Sequence, residues 1–247
     1  MTGLAIIGGT GLTSLKNLEI ERREVMHTPY GEPSGPLVHG KMCGRPVVFI
    51  PRHGTAHTIP PHEVNYRANL WALDHIGITK IIAVAAVGGI TVAMAPQTLV
   101  IPDQIIDYTW ARQHTFFQGD LARVTHIDFT HPYSADLRGM LLQAGRAADL
   151  ELHDGGTYGA TQGPRLETAA EIIRLERDGC DIVGMTGMPE AALARELELS
   201  YAAVAVVANW AAGRGPGEIS MDDIERNLKT GMDRVRALLE QVIPIIE

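Results

Sequence analysis

The chain has 247 residues, 45 % of them hydrophobic, with 26 Gly, 14 Pro and no low-complexity tract, a composition that excludes disorder and fits a single soluble α/β domain around one core. A formal net charge of −8 excludes a broad nucleic-acid or anionic-membrane surface, which needs clustered Lys and Arg, and leaves room for an anionic small substrate held by local arginines. Cys43 and Cys180 are too far apart for a CxxC pair and no Cys/His tract has zinc spacing, so both are expected as reduced thiols and no metal site is expected.

The first residues lack a basic segment and break into glycines early, so no signal peptide is read and a cytoplasmic location is expected. Residues 4–7 form the first strand-like apolar run and lead into Gly8, Gly9, Thr10 and Gly11. Such a turn lets backbone N–H groups and the Thr10 hydroxyl approach an anion, although a plain tight turn has the same signature. It lacks the glycine spacing and the later acidic residue of a dinucleotide site. Residues 19–44 read as hairpin-like strands joined through turn residues 28–33, which makes the sheet mixed.

A second run at 47–50 opens into a loop carrying Arg52, His53 and His57. Arg52 can fork onto phosphate oxygens and His53 can donate beside it, while a solvated surface loop is the alternative. A helix is expected over 63–75. The longest apolar stretch, 81–95, is interrupted by Gly88, Gly89 and Thr91 and falls short of the ~20 residues of a bilayer span, so it reads as a buried strand over 80–87. Another strand is expected at 98–101, then a helix over 134–150 capped by Ser134.

A helix over 167–177 places Glu167 at its start, where the carboxylate either complements the helix dipole or accepts the N1–H of a 6-oxopurine. A strand at 181–183 and a helix over 189–197 flank Met185 and Thr186, with Thr186 either reaching phosphate or capping the helix. The apolar run 201–208 ends on Asn209. An amide there either closes a strand or presents both a donor and an acceptor to a purine edge bearing O6 and a protonated N7, which a carboxylate cannot do. The last helix spans 220–242, capped by Ser220, with Asp222 and Asp223 in its first turn. Strand and helix alternate along the chain, so residues 1–247 are expected as one α/β domain.

Five segments occur in order over nearly the whole chain: Gly8 to Gly11, Arg52 to Gly54, Asn65 to Ala72, Gly163 to Arg165, and Met185 to Glu190. Together they resemble the trimeric purine nucleoside phosphorylase and methylthioadenosine phosphorylase family. The resemblance implies an α/β domain with a mixed, barrel-like sheet flanked by helices, a homotrimer with active sites at subunit interfaces, and phosphorolysis of a purine nucleoside. Inorganic phosphate is then the co-substrate, with no metal or organic cofactor. In that family Thr10, Arg52, His53 and Thr186, with the backbone near Ala86, look like the phosphate cradle. Met185 looks like the ribose contact, and His126 resembles a histidine that reaches the neighbouring subunit's pocket. Two departures are Ala85, where methylthioadenosine phosphorylases have a threonine for phosphate, and Leu166, where the family has an aromatic.

The nucleoside is expected from both of its ends. Methylthioadenosine phosphorylases present two aspartates to adenine where this chain has Asn209 and Ala211, whereas Glu167 with Asn209 resembles the pair used by phosphorylases of 6-oxopurines. Met221 and Ile224 resemble the apolar side chains beside a 5′-methylthio group, and a thioether suits that sulfur. A core stripe at i, i+3 is the other reading of these two. The expected substrate is 5′-methylthioinosine. Inosine or guanosine, and methylthioadenosine, are the alternatives within the family; a nucleoside-binding protein and an oxidoreductase are those outside it.

Overall fold

The computed structural model describes residues 3–119 and 123–246. In chain order the strands are β1 (Gly3–Gly8), β2 (Glu19–Glu24), β3 (Leu37–Met42), β4 (Arg45–Pro51), β5 (Ile78–Gly89), β6 (Leu99–Ile101), β7 (Gln104–Asp107), β8 (Leu152–Asp154), β9 (Thr157–Ala160), β10 (Ile182–Gly184) and β11 (Ser200–Trp210). The helices are α1 (Tyr66–His75), α2 (Ala135–Ala147), α3 (Ala169–Arg177), α4 (Gly187–Glu196) and α5 (Met221–Val242). None of the described helices is long and apolar enough to cross a membrane.

All strands join one 11-stranded sheet in the order β2-β3-β4-β1-β5-β10-β9-β7, with β11 also on β5 and continued by β6 and β8. β5 is the branch point: it runs parallel to β1 and β11 and meets β10 antiparallel at Gly88 and Gly89. This branching makes the sheet mixed and barrel-like, as expected from the sequence. The unbroken apolar character of β5 and β11 follows from burial on both faces. Ile81, Ala83 and Ala85 with Ala203 and Ala205 face Leu70 and Leu73 of α1 and Ala191 and Ala194 of α4. Ile82 and Val84 with Val204 and Val206 face Leu141 of α2 and Val235 and Leu239 of α5. The period of two splits each run between two cores, and each fully buried Ile or Leu contributes roughly 1.5–3 kcal/mol. α5 lies so close that a Cβ on Gly231 would sit 2.3 Å from Val206 Cγ1.

Side-chain caps start α1, α2, α3 and α5. Ser134 and Ser220 cap α2 and α5 as expected. α1 begins later than residue 63, because Asn65 accepts from the Ala68 N–H and starts the helix there. α3 begins after Thr168, which forms a reciprocal capping box with Glu171. Glu167 therefore precedes the cap, and the expected helix-start position is corrected: its carboxylate is not a first-turn group. α2 stops at Ala147 rather than continuing to residue 150, because Asp149 turns left-handed at φ 53°.

Candidate active site

A cavity of about 420 Å3 opens where β1, β4, β5, β10 and β11 reach their carboxyl ends, the place where α/β sheets gather ligand-binding loops. Its polar lining includes Thr10 after β1, Arg52 and His53 after β4, Thr186 after β10, Glu167, and Asn209 near the end of β11. Ala85, Ala86 and Gly88 of β5, with Val183, Met185, Leu166 and Ala211, form a largely small or apolar wall. Ile219, Met221, Ile224 and Leu228 add the start of α5, facing Thr58, Ile59, Pro60 and Pro61 of the loop after β4. All of the residues singled out from the sequence meet here except His126, which is exposed in the connection between β7 and α2 and lies outside its own chain's cavity.

The fork expected of Arg52 is corrected. Its Nε and Nη2 donate to the two carboxylate oxygens of Glu190 at 2.6 and 2.7 Å, and Nη1 donates to the Val84 carbonyl at 2.9 Å. Arg52 is 1 % and Glu190 0 % exposed, so a buried arginine has taken the one planar acid able to compensate it. Of the five guanidinium N–H groups, one on each terminal nitrogen remains for the cavity. Tyr201 Oη also donates to Glu190, at 2.8 Å. Burial, followed by the neighbouring Glu190 charge, holds the Tyr201 hydroxyl well above its usual pKa.

His53 is likewise different from its expected role as a donor. Its Nδ1 bonds the Ile59 carbonyl at 2.8 Å, which fixes the hydrogen on Nδ1. Burial, then the Arg52 charge, lowers its pKa to about 4. The ring is neutral at pH 7, which leaves Nε2 as an acceptor. Thr186 occupies the N-cap position of α4 but makes no side-chain cap, which removes the capping alternative. Thr10 Oγ1 lies 3.0 Å from His57 Nε2.

Glu167 accepts from Thr161 Oγ1 at 2.6 Å through one oxygen, Oε1, which orients the carboxylate. In β11 the register with β5 shifts between Val207 and Asn209, leaving Ala208 as the extra residue of a bulge. Bulges re-aim side chains beside active sites, and Asn209 after this one lines the cavity, donating one amide hydrogen to the Trp210 carbonyl at 2.7 Å. Met185 packs under Gly163, where φ is +61° and a Cβ would lie 2.4 Å from the Met185 sulfur.

Two organising residues escaped the sequence reading. In the sequence Glu190 is marked only as the last residue of the segment from Met185, with no role of its own. Arg112 sits in an irregular loop with no periodicity to mark it, yet it is buried and donates to the carbonyls of Met185, Met188, Thr161 and Gln162. It ties the segment before Glu167 to the segment carrying Thr186.

A sequence profile of the Phosphorylase superfamily matches residues 4–244. The chain is 58 % identical over 98 % of its length to a probable S-methyl-5′-thioinosine phosphorylase of Pseudomonas syringae pv. tomato, covering 99 % of that protein. It is 43 % identical to a 6-oxopurine nucleoside phosphorylase of Pyrococcus furiosus, over 100 % of this chain and 94 % of that one. Among solved structures, methylthioadenosine phosphorylase from Schistosoma mansoni in complex with adenine superposes with a TM-score of 0.95 at 32 % identity, over 99 % of this chain and 92 % of that one.

Proposed function

The chain belongs to the Phosphorylase superfamily, and from that premise we propose that it catalyses phosphorolysis of S-methyl-5′-thioinosine to hypoxanthine and 5-methylthioribose 1-phosphate. The observation that carries this reading is one cavity holding Glu167 and Asn209 together with the apolar Met221, Ile224 and Leu228. The first pair suits a 6-oxopurine, and the second group suits a 5′-methylthio substituent. The relative from Pseudomonas syringae, at 58 % identity, supports the same pairing of base and sugar.

In the proposed reaction phosphate attacks C1′ as the glycosidic bond breaks, so positive charge grows on the ribosyl group and negative charge on the departing base. As the base leaves, N7 takes a proton from solvent; Asn209 donates to O6 and accepts from that N7–H, and Glu167 accepts N1–H through the oxygen that Thr161 leaves available. These are preorganised hydrogen bonds aimed at charge that develops only in the transition state. Thr10, Thr186, Arg52 and the backbone near Ala86 hold the phosphate, His53 accepts its remaining hydrogen, and Met185 and Leu166 pack the ribose. Phosphate is the co-substrate, and the chemistry requires no metal or organic cofactor. The active unit is a homotrimer in the cytoplasm, with His126 serving the neighbouring subunit's cavity.

Leaving a buried polar group unpaired costs about 1–3 kcal/mol, which discriminates 6-oxo from 6-amino bases by roughly 10- to 100-fold. Comparing kcat/KM for methylthioinosine, inosine and methylthioadenosine under saturating phosphate tests the proposal. A clear preference for methylthioinosine is expected. Equal turnover of inosine would refute the 5′ assignment, and preference for methylthioadenosine would refute the roles of Glu167 and Asn209.

A further inference from the structure

His57 carries no role in the reaction as described, yet its ring nitrogen contacts the hydroxyl of the glycine-rich turn. Thr10 Oγ1 and His57 Nε2 are 3.0 Å apart. A threonine hydroxyl has one hydrogen and two lone pairs. If Thr10 donates to His57, it can offer an anion only lone pairs, and the contact works against phosphate. If His57 Nε2–H donates to Thr10, the single hydroxyl hydrogen remains for a phosphate oxygen.

The backbone holds His57 in place for this contact. His57 has φ 54°, a left-handed conformation that non-glycine residues rarely adopt, and its N–H closes a turn on the Gly54 carbonyl at 3.1 Å. The ring packs edge-on against His53 at 5.2 Å between centroids. Both rings line the cavity, and His53 cannot substitute for His57, since its Nδ1 is fixed on the Ile59 carbonyl while the contact to Thr10 Oγ1 comes from His57 Nε2.

We infer that His57 is a positioning residue of the phosphate site, whose Nε2–H donates to Thr10 Oγ1 and turns the Thr10 hydroxyl hydrogen toward phosphate. The inference rests on the proposed role of Thr10 and extends it to the neighbouring cavity residue His57.

The test is a double-mutant cycle on Thr10→Ala and His57→Leu, with His57→Gln beside it, reading KM for phosphate and KM for nucleoside separately. His57→Leu is expected to raise the phosphate KM about 5- to 10-fold, the size of one net hydrogen bond, with the nucleoside KM within about 2-fold of wild type. His57→Gln, whose amide can donate from nearly the same place, restores most of the loss. In the Thr10→Ala background His57→Leu adds no further change. An unchanged phosphate KM in His57→Leu, where Thr10→Ala raises it, overturns the inference while the phosphate site stands. The same holds for a His57→Leu effect undiminished without Thr10. An unchanged phosphate KM in Thr10→Ala overturns the Thr10 assignment and the role of His57 with it.

Discussion

Glu190→Gln isolates the buried ion pair behind the cavity. The wild-type carboxylate accepts from Arg52 Nε, Arg52 Nη2 and Tyr201 Oη at 2.6 to 2.8 Å, with no measurable exposure of its own. Glutamine keeps the shape but supplies one accepting oxygen, sets an N–H2 group against existing donors, and leaves the Arg52 charge without its counter-ion. Breaking one partner of a buried pair costs about 3–5 kcal/mol. For a chain of this size that corresponds to a fall in Tm of about 6–20 °C. Thermal unfolding followed by circular dichroism measures it, with the double variant Arg52→Met/Glu190→Met as control. Removing both charges should recover much of the lost stability, since paired charges and well-packed apolar side chains are close in energy there, while activity stays lost. A Glu190→Gln protein within about 1 kcal/mol of wild type, or a double variant no more stable than Glu190→Gln, would refute the reasoning.

Asn209→Asp removes the amide hydrogens while keeping the shape; kcat/KM for methylthioinosine should fall about 10- to 100-fold and the ratio of methylthioadenosine to methylthioinosine turnover should rise. Met221→His replaces a thioether at the cavity with a group able to bond a 5′-hydroxyl, and should raise the inosine to methylthioinosine ratio about 10-fold; an unchanged ratio would show that Met221 does not face the 5′ substituent. His53 has a folded pKa of about 4 against 6.5 for the unexposed-to-protein reference, so the unfolded chain binds the proton first as pH falls. Its contribution is fully present above pH 6.5, is lost as pH falls through the window from 6.5 to 4, and amounts to at most about 3 kcal/mol; denaturant unfolding at pH 7.5 and 4.5 should show that loss in wild type and its absence in His53→Asn.

The central strands were legible because burial on both faces leaves a continuous apolar run, as at residues 80–87 and 201–208. The short strands β7, β8 and β9 were not. At three or four residues each they are close in length to β6 and β10, but polar residues interrupt them, so no apolar run sets them apart from a loop. Residues that line the cavity were readable wherever a motif names a chemistry, as with Thr10, Thr186, Glu167 and Asn209. Their supports were not, because support is a matter of tertiary placement. Glu190 lies 138 residues from Arg52, and Arg112 acts through backbone carbonyls that any sequence would carry. The same distinction explains the divided donors: a sequence shows that Arg52 and His53 can donate, and only the fold shows that Glu190 and the Val84 and Ile59 carbonyls already receive some of those bonds.

That redistribution of donors bears on the chemistry proposed for the site. With Arg52 compensated by Glu190 and His53 neutral, the cavity brings little net positive charge to an incoming phosphate. Its remaining donors are the Thr10 and Thr186 hydroxyls, backbone N–H groups near Ala86, and the hydrogens left on a guanidinium already paired with Glu190. A cradle of strong cations would stabilise free phosphate as much as the transition state and so lower KM without raising kcat. Donors of little net charge would hold the nucleophile in the proposed reaction while leaving its negative charge to face the cation that grows at C1′, an attraction absent from the ground state and strong in a site with apolar walls. In the proposed reaction the buried Arg52–Glu190 pair would serve as a charge-balanced floor of the cavity, and catalysis would depend on how firmly that floor is held.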